Sequence, residues 1–328
     1  MTDDDVATRT RDILQSLWKD VFCTAFSFEA PYESFVARFG HYLPSQDQIS
    51  AFLAGGEPYD RDKEKWATIP KDMSHSELAL ELQRIMKDVM EHFKHSGRRV
   101  QALHKNTLPV FIHRRYKKSK GIWEVEVVPD IIVTSEGSAY QPISKDEDID
   151  PTSWAAYIQQ TSSVVMVRTC DEVEGPEGGP KIEPEAAFYA QQCFHNQGNR
   201  LFCFVLLVTE EWAKLFYYDR AGCLETAPIS IHDSPDEFVW YLLLISSTDN
   251  EALGFDKAIC WNAETQVHTI TTVDEEDNEV KYRLDKPKPF FRSCKIKGRA
   301  TTCWDVEGKN GERLIVKEAW RVRVIRGA

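Results

Sequence analysis

The chain has 328 residues, of which 42% are apolar, with nine Trp and seventeen Phe, enough to bury a core in one large or two medium domains. That composition excludes a disordered polypeptide. A formal charge of −12 argues against strong nucleic-acid binding, because neutralising phosphates takes clustered Lys and Arg. The one basic run, Arg114 to Lys120, reads as a solvated turn or strand end.

The eight cysteines (Cys23, Cys170, Cys193, Cys203, Cys223, Cys260, Cys294 and Cys303) form no C-x-x-C pair, and several sit within apolar runs. Such scattered thiols predict reduced, buried cysteines rather than a disulfide framework or zinc site. The acidic start, Met1 to Asp5, has no apolar signal region, and stretches such as Phe202 to Val208 are too short to span a bilayer. The expectation is a soluble intracellular protein of cytoplasm or nucleus.

In chain order, Val6 to Phe28 carries Ile13, Leu14, Leu17, Trp18 and Val21 at helical spacing. Residues 40–75, with Gly55, Gly56, Pro58 and Pro70 among many charges, read as an irregular connection. Ser74 to His95 resumes a helical stripe through Leu78, Leu82, Ile85, Met86, Val89 and Phe93, with Ser76-Glu77 as its cap. Residues 1–105 are therefore a helical region that packs on a later sheet or presents an interaction surface. His92 and His95, three apart, fall on a solvated face.

From residue 108 the period becomes two. Val110–Ile112, Trp123–Val128, Ile131–Val133, Ser163–Val167, Leu201–Thr209 and Lys214–Tyr218 read as strands, with a helix over Pro184–Asn196. Tyr189 and Phe194 are core candidates on that helix, and Arg200 follows it, placed to bond carbonyls at the helix end. Residues 172–184 form an acidic Gly/Pro loop. Asp219 to Gly222 predicts a turn held by an Asp219–Arg220 ion pair, followed by a strand to Ile231. Ser234-Pro235 caps a helix to Leu244. Residues 268–283 read as a hairpin, and Lys286 to Pro289 as a linker. The expected division is 1–105, 106–285 and 286–328.

Near its end the chain reads Gly298-Arg299-Ala300-Thr301, then Leu314-Ile315-Val316-Lys317. A small-residue loop between two strands, followed by an apolar strand carrying one lysine, is how a protein-kinase fold begins. Gly298, Thr301 and Lys317 are thus the candidate nucleotide-binding residues, Lys317 either pairing phosphate or lying on the solvent side of an edge strand. A kinase also needs a helix Glu, an Asp base with an Asn, and a metal-binding Asp. Eleven residues after Lys317 cannot supply them.

The string Phe188 to Gln192, Asn196 to Arg200, Asp219 to Gly222, Leu253 to Asp256, Gly298 to Thr301, and Val316-Lys317 with Trp320 resembles the fungal-type protein kinases. The resemblance runs from about residue 90 to 325 and implies a C-terminally truncated member. Full-length relatives would use ATP and Mg²⁺; no cofactor is expected for this chain, and a protein partner is. The region ahead of the kinase part is similar in layout to the restriction-endonuclease-like fold, which places an Asp at one strand end and Glu-x-Lys on the next. Asp130 matches the first element, but Met166-Val167-Arg168 stands at the second. Methionine cannot ligate Mg²⁺, and arginine cannot serve as a base.

The expected fold is therefore α+β: N-terminal helices and an endonuclease-like α/β sheet, followed by the first strands of a kinase N-lobe. The expected role is a catalytically inactive accessory or regulatory fragment. The alternatives are the N-terminal part of an active kinase whose gene model ended early, and a metal-dependent nuclease using Asp130 and Asp171.

Overall fold

The computed structural model describes residues 27–55, 58–103, 114–115, 122–123, 129–141, 158–174, 182–262, 264–265, 267–274, 276–293, 296, 298–308 and 310–320. The helix expected over Val6 to Phe28 lies outside them, except for its last two residues, which belong to strand β1 (Ser27–Glu29). The strand at Val110–Ile112 and most of Trp123–Val128 also lie outside.

Strands β7 (Ile131–Ser135), β8 (Thr161–Val167), β9 (Phe202–Val208) and β10 (Trp212–Asp219) are the centre of an eight-stranded mixed sheet. Around them the order is β1-β11-β10-β9-β8-β7-β4, with β4 (Arg98–Ala102) and β1 at the edges, β11 (Cys223–Glu225) beside β10, and β12 (Ile229–Ser230) also on β10. β8 and β9 pair in parallel, Val164 opposite Val205, while β7–β8 and β9–β10 are antiparallel.

These strands are continuous apolar runs because both faces are covered. Val165, Val167, Phe204, Leu206 and Leu215 face helices α1 (Tyr32–Phe39), α2 (Gln46–Ala54), α3 (His75–His92) and α6 (Pro235–Ile245). Val164, Met166, Val205, Leu207 and Phe216 face α5 (Ile182–Asn196), where Tyr189 and Phe194 are buried as expected. A short helix, α4 (Cys170–Glu174), follows β8. Cys193, Cys203 and Cys223 are buried as thiols outside any disulfide.

Several expectations need correction. Residues 40–75 are not irregular: they hold a 3-10 turn over Gly40–Tyr42, α2, and a small hairpin of β2 (Tyr59–Asp60) and β3 (Lys65–Trp66). A capping box of Ser45 and Gln48 starts α2, and Ile49, Phe52 and Leu53 bury one face. Ser74, not Ser76, caps α3, its hydroxyl and backbone both bonded to Glu77. The strand expected to reach Ile231 is two short strands, β11 and β12, parted around Pro228. Pro235 does open α6, but Ser234 makes no side-chain cap. Asp219 steadies its turn by accepting the Ala221 and Gly222 N–H groups at 2.7 and 3.2 Å, while the Arg220 guanidinium lies over the Phe194 ring. Arg200 does bond a carbonyl, that of Ser162 in β8, which is not the helix end. His92 is exposed as expected, but half-buried His95 reaches the Ser246 hydroxyl at 3.1 Å.

A second, six-stranded antiparallel sheet combines β13 (Ile259–Trp261), β14 (His268–Val273), β15 (Glu279–Leu284), β16 (Phe291–Arg292), β17 (Thr302–Glu307) and β18 (Arg313–Glu318). It draws strands from both sides of Lys286–Pro289. Its core is small, with Trp261, Ile270, Leu284, Trp304 and Val306 at its centre. The Trp304 ring packs on Gly198, where an added Cβ would lie 2.5 Å from it. The chain is thus a mixed α+β protein. A two-stranded ribbon, β5 (Arg114–Arg115) with β6 (Ile122–Trp123), stands apart from both sheets. Among the described residues no helix is long and apolar enough to cross a membrane.

Candidate functional site

Asp130 precedes β7, and Arg168 follows β8, the neighbouring antiparallel strand, so the pairing of Ile131 with Val165 brings the two side chains to one end of the sheet. Arg168 Nη1 donates to Asp130 Oδ2 at 2.9 Å, and the Val167 N–H donates to the same oxygen at 2.8 Å. The other oxygen, Oδ1, takes His75 Nε2 at 2.7 Å. His75 opens α3, so the helix start delivers a cation to the carboxylate. Arg168 continues to Glu185 on α5 at 2.6 Å, and Glu185 accepts the Tyr189 hydroxyl at 2.9 Å. His75 Nδ1 turns to Glu172 at 3.2 Å.

The electrostatics follow from these contacts. Hydrogen bonds to Asp130 and then Glu172 raise the His75 pKa to about 9, so both ring nitrogens carry protons near neutrality. Burial alone would raise Asp130, but His75 and Arg168 outweigh it and hold the carboxyl below its ordinary value. The His75 bond lowers Glu172 to about 2. The result is a chain of alternating charges from Glu172 through His75, Asp130 and Arg168 to Glu185, with three donors on the Asp130 carboxylate.

A guanidinium and an imidazolium therefore flank the Asp130 carboxylate from two sides. Met166 is buried in the core, away from the carboxylate. Asp171 is exposed; its neighbour Glu172 joins the cluster instead. Among the described residues no group of three or more His, Cys, Asp or Glu is placed to hold a metal ion. Sequence reasoning missed His75, Glu172 and Glu185, whose only local signal was His75 at the start of a capped helix.

The other candidates lie on the second sheet. Gly298 adopts a left-handed φ of +123°, open to solvent, and its N–H reaches the Arg220 carbonyl at 3.3 Å. Thr301 receives the Ser293 N–H on its carbonyl at 2.9 Å, closing the loop from Ser293 to Thr301. Within that loop Ile296 is fully buried against the α5 side of the first sheet. Lys317 is exposed and stands opposite Cys303 in register, whereas Val316 pairs with the buried Trp304. Strand alternation thus sends Lys317 to one face of β17–β18 and Glu318 to the other. Glu318 accepts Trp304 Nε1 at 2.9 Å and, with Asp256, Arg220, Thr302 and Trp320, lines a cleft of about 200 Å³ between the two sheets. Burial raises the Glu318 pKa, and Asp256 adds to the shift.

A family model described as fungal protein kinase matches residues 159–325, about half of the chain. The chain belongs to the fungal protein kinase family. No curated protein matches the sequence. The matched region of this fungal protein kinase sequence starts just before β8 and reaches past β18, taking in β8 to β12 of the first sheet and all of the second. Arg168, Glu172, Glu185 and Lys317 fall inside it; His75 and Asp130 fall outside.

Proposed function

We propose that residues 1–328 serve as an accessory, regulatory region of a fungal-type protein kinase, not as a self-sufficient catalyst. The observation that carries this reading is the anchoring of the Ser293–Thr301 loop. A loop that covers ATP phosphates must offer free backbone N–H groups and open for exchange. Here Ile296 is buried in the α5 core, Gly298 is tied to Arg220, and Lys317 leaves the sheet on the face opposite the neighbouring cleft. In this reading the second sheet corresponds to the opening strands of a kinase N-lobe, docked on the α/β part through Trp304 and Gly198. ATP and Mg²⁺ are assigned to the complete kinase domains of relatives, and a protein partner is the expected ligand of this region.

The same reading takes the first sheet as endonuclease-like in layout with its metal position filled from within. Arg168 replaces the lysine of Glu-x-Lys, and His75 supplies the second positive charge that a divalent ion would bring. Hydrolysis through Asp130 and Asp171 is disfavoured because Asp130 is buried and already accepts from His75, Arg168 and the Val167 N–H, and because Asp171 is exposed while Glu172 joins the cluster.

The test uses the purified 328-residue chain, with ATP hydrolysis, autophosphorylation and Mg²⁺-dependent DNA cleavage measured side by side. The expected result is no turnover in any of them. Phosphate transfer abolished by Lys317→Ala, or cleavage abolished by Asp130→Ala, overturns the proposal.

A further inference from the structure

At the far end of α3 from His75, about 27 Å away at 1.5 Å per residue, the helix and strand β4 enclose an open groove of about 550 Å³. Lys87, Glu91 and Lys94 line one side at helical spacing, and Arg98 and Arg99 the other. Met90 and Val100 form an apolar floor, both buried. In a chain of net charge −12 this is a concentration of one sign against the overall balance.

The charges are also under-compensated. Lys87 and Lys94 are exposed, and among the described residues neither has a carboxylate within ion-pair distance. Arg99 meets Glu136 at 3.1 Å, a solvent-exposed pair of little strength. Arg98 is 9% exposed, and its guanidinium bonds only neutral groups: the Tyr140 hydroxyl, the Ser247 carbonyl and Asn250 Oδ1. Behind it stands a second buried guanidinium, Arg200, stacked 4.0 Å over the Phe255 ring, with Nε and Nη1 unpartnered. Both arginines reach Ser162, and Asp249 is a nearby acid that acts on the Arg98 charge through space. Buried unpaired cations are costly unless a counter-charge arrives. Lys94 adds a further sign: it holds a left-handed φ of +58° at the helix end, where glycine is the favoured residue.

We propose that this groove binds a phosphorylated peptide segment, with its phosphoryl group held by the exposed Lys87 and Lys94 and favoured by the field of the inward-bonded Arg98. A dianion with three acceptor oxygens answers two exposed ammonium groups and a buried guanidinium better than one carboxylate does. Protein kinase chemistry makes such groups on Ser and Thr, so the family supplies the ligand class. A long polyanion is disfavoured, because Glu91 and Glu136 border the patch and the chain as a whole carries a net charge of −12. The proposal is independent of the accessory reading above.

Fluorescence anisotropy on the full chain tests it. The probes are short degenerate peptides with a central phosphoserine, their unphosphorylated counterparts, inorganic phosphate and single-stranded DNA. The phosphopeptides bind at least about tenfold tighter than the unphosphorylated ones, and K87E/K94E removes the preference. Lys257→Glu, an exposed lysine elsewhere, leaves it intact. Lys94→Gly separates binding from folding, because glycine suits the left-handed backbone: Tm rises while phosphopeptide affinity drops. Equal binding of both peptide sets, unchanged affinity in K94G, or inorganic phosphate or DNA binding as tightly as the phosphopeptides overturns the proposal.

Discussion

His75 and Asp130 are 55 positions apart in sequence, yet His75 Nε2 meets Asp130 Oδ1 at 2.7 Å and closes a cluster that Arg168 enters from the opposite side. The contact joins the N-terminal helical region to the start of strand β7 in the central sheet. It also decides the chemistry of that sheet end, because a carboxylate already shared by two cations is a poor ligand for a third.

Asp130→Ala therefore acts as a stability variant. It strands the Arg168 guanidinium, the His75 imidazolium and the Val167 N–H in a site where Asp130 itself is 6% exposed. Removing one partner of a buried ion pair costs about 3–5 kcal/mol, and Glu185 and Glu172 keep the loss toward the lower end. Asp171→Ala, at an exposed position, stays within about 0.5 kcal/mol. Urea denaturation of both variants checks the contrast, and addition of Mg²⁺ to the wild type leaves its midpoint unchanged.

The cluster also makes stability depend on pH in a definite direction. The His75 pKa is raised from 6.5 to about 9 in the folded state. A raised folded pKa means the contribution is fully present below 6.5 and is lost as pH climbs through about 9. Glu172, lowered from 4.5 to about 2, works the other way: its contribution is present above 4.5 and fades as pH falls toward 2. Denaturant midpoints thus decline on the alkaline side, and His75→Gln flattens that decline. A midpoint for the wild type that rises between pH 6.5 and 9 contradicts the assignment.

What could be read from the residues, and what could not, divides along the range of the interactions. β8 and β9 were legible because strands buried on both faces become apolar runs, as in Val164–Val167 and Phe204–Val208. The start of α2 was also written locally, as Ser45 three residues before Gln48 and ahead of Ile49, but the surrounding glycines and prolines favoured a loop reading. The surroundings of Asp130 were half legible: Arg168, at the end of the neighbouring strand, is a cation that the sequence places near it. His75 was not, because it reaches Asp130 only through the packing of α3 on the sheet. Ile296 was hidden for the same reason, as one apolar residue in a short polar loop whose burial depends on α5.

Gly198 tests how the second sheet is seated. An alanine there places its Cβ 2.5 Å from Arg292 Nη2 and from the Trp304 ring, which is fully buried. Arg292 is a flexible chain end and can yield, but Trp304 is fixed by its bond to Glu318. Overpacking of this kind costs about 1–3 kcal/mol. The strain falls on the junction, so Gly198→Ala increases protease cutting in the second sheet before the first. Equal susceptibility in both sheets argues that the junction does not depend on this approach.

Ile296 and Lys317 separate anchoring from surface chemistry on the same sheet. Ile296→Ala removes a fully buried side chain from the α5 core, a change that costs about 2–5 kcal/mol when the cavity cannot collapse. It also loosens the Ser293–Thr301 loop, since the ties that remain among its described residues are backbone bonds, Ser293 to Thr301, Gly298 to Arg220 and Arg299 to Trp320. Lys317→Ala touches an exposed edge-strand position whose outward neighbours, Ile315 and Phe291, are 63% and 51% exposed. Its effect on stability stays within about 0.5 kcal/mol. Hydrogen exchange at the loop amides distinguishes them: faster in Ile296→Ala, unchanged in Lys317→Ala. Loop exchange that is already fast in the wild type shows that Ile296 does not hold the loop closed, and the argument against a mobile phosphate-covering loop then fails with it.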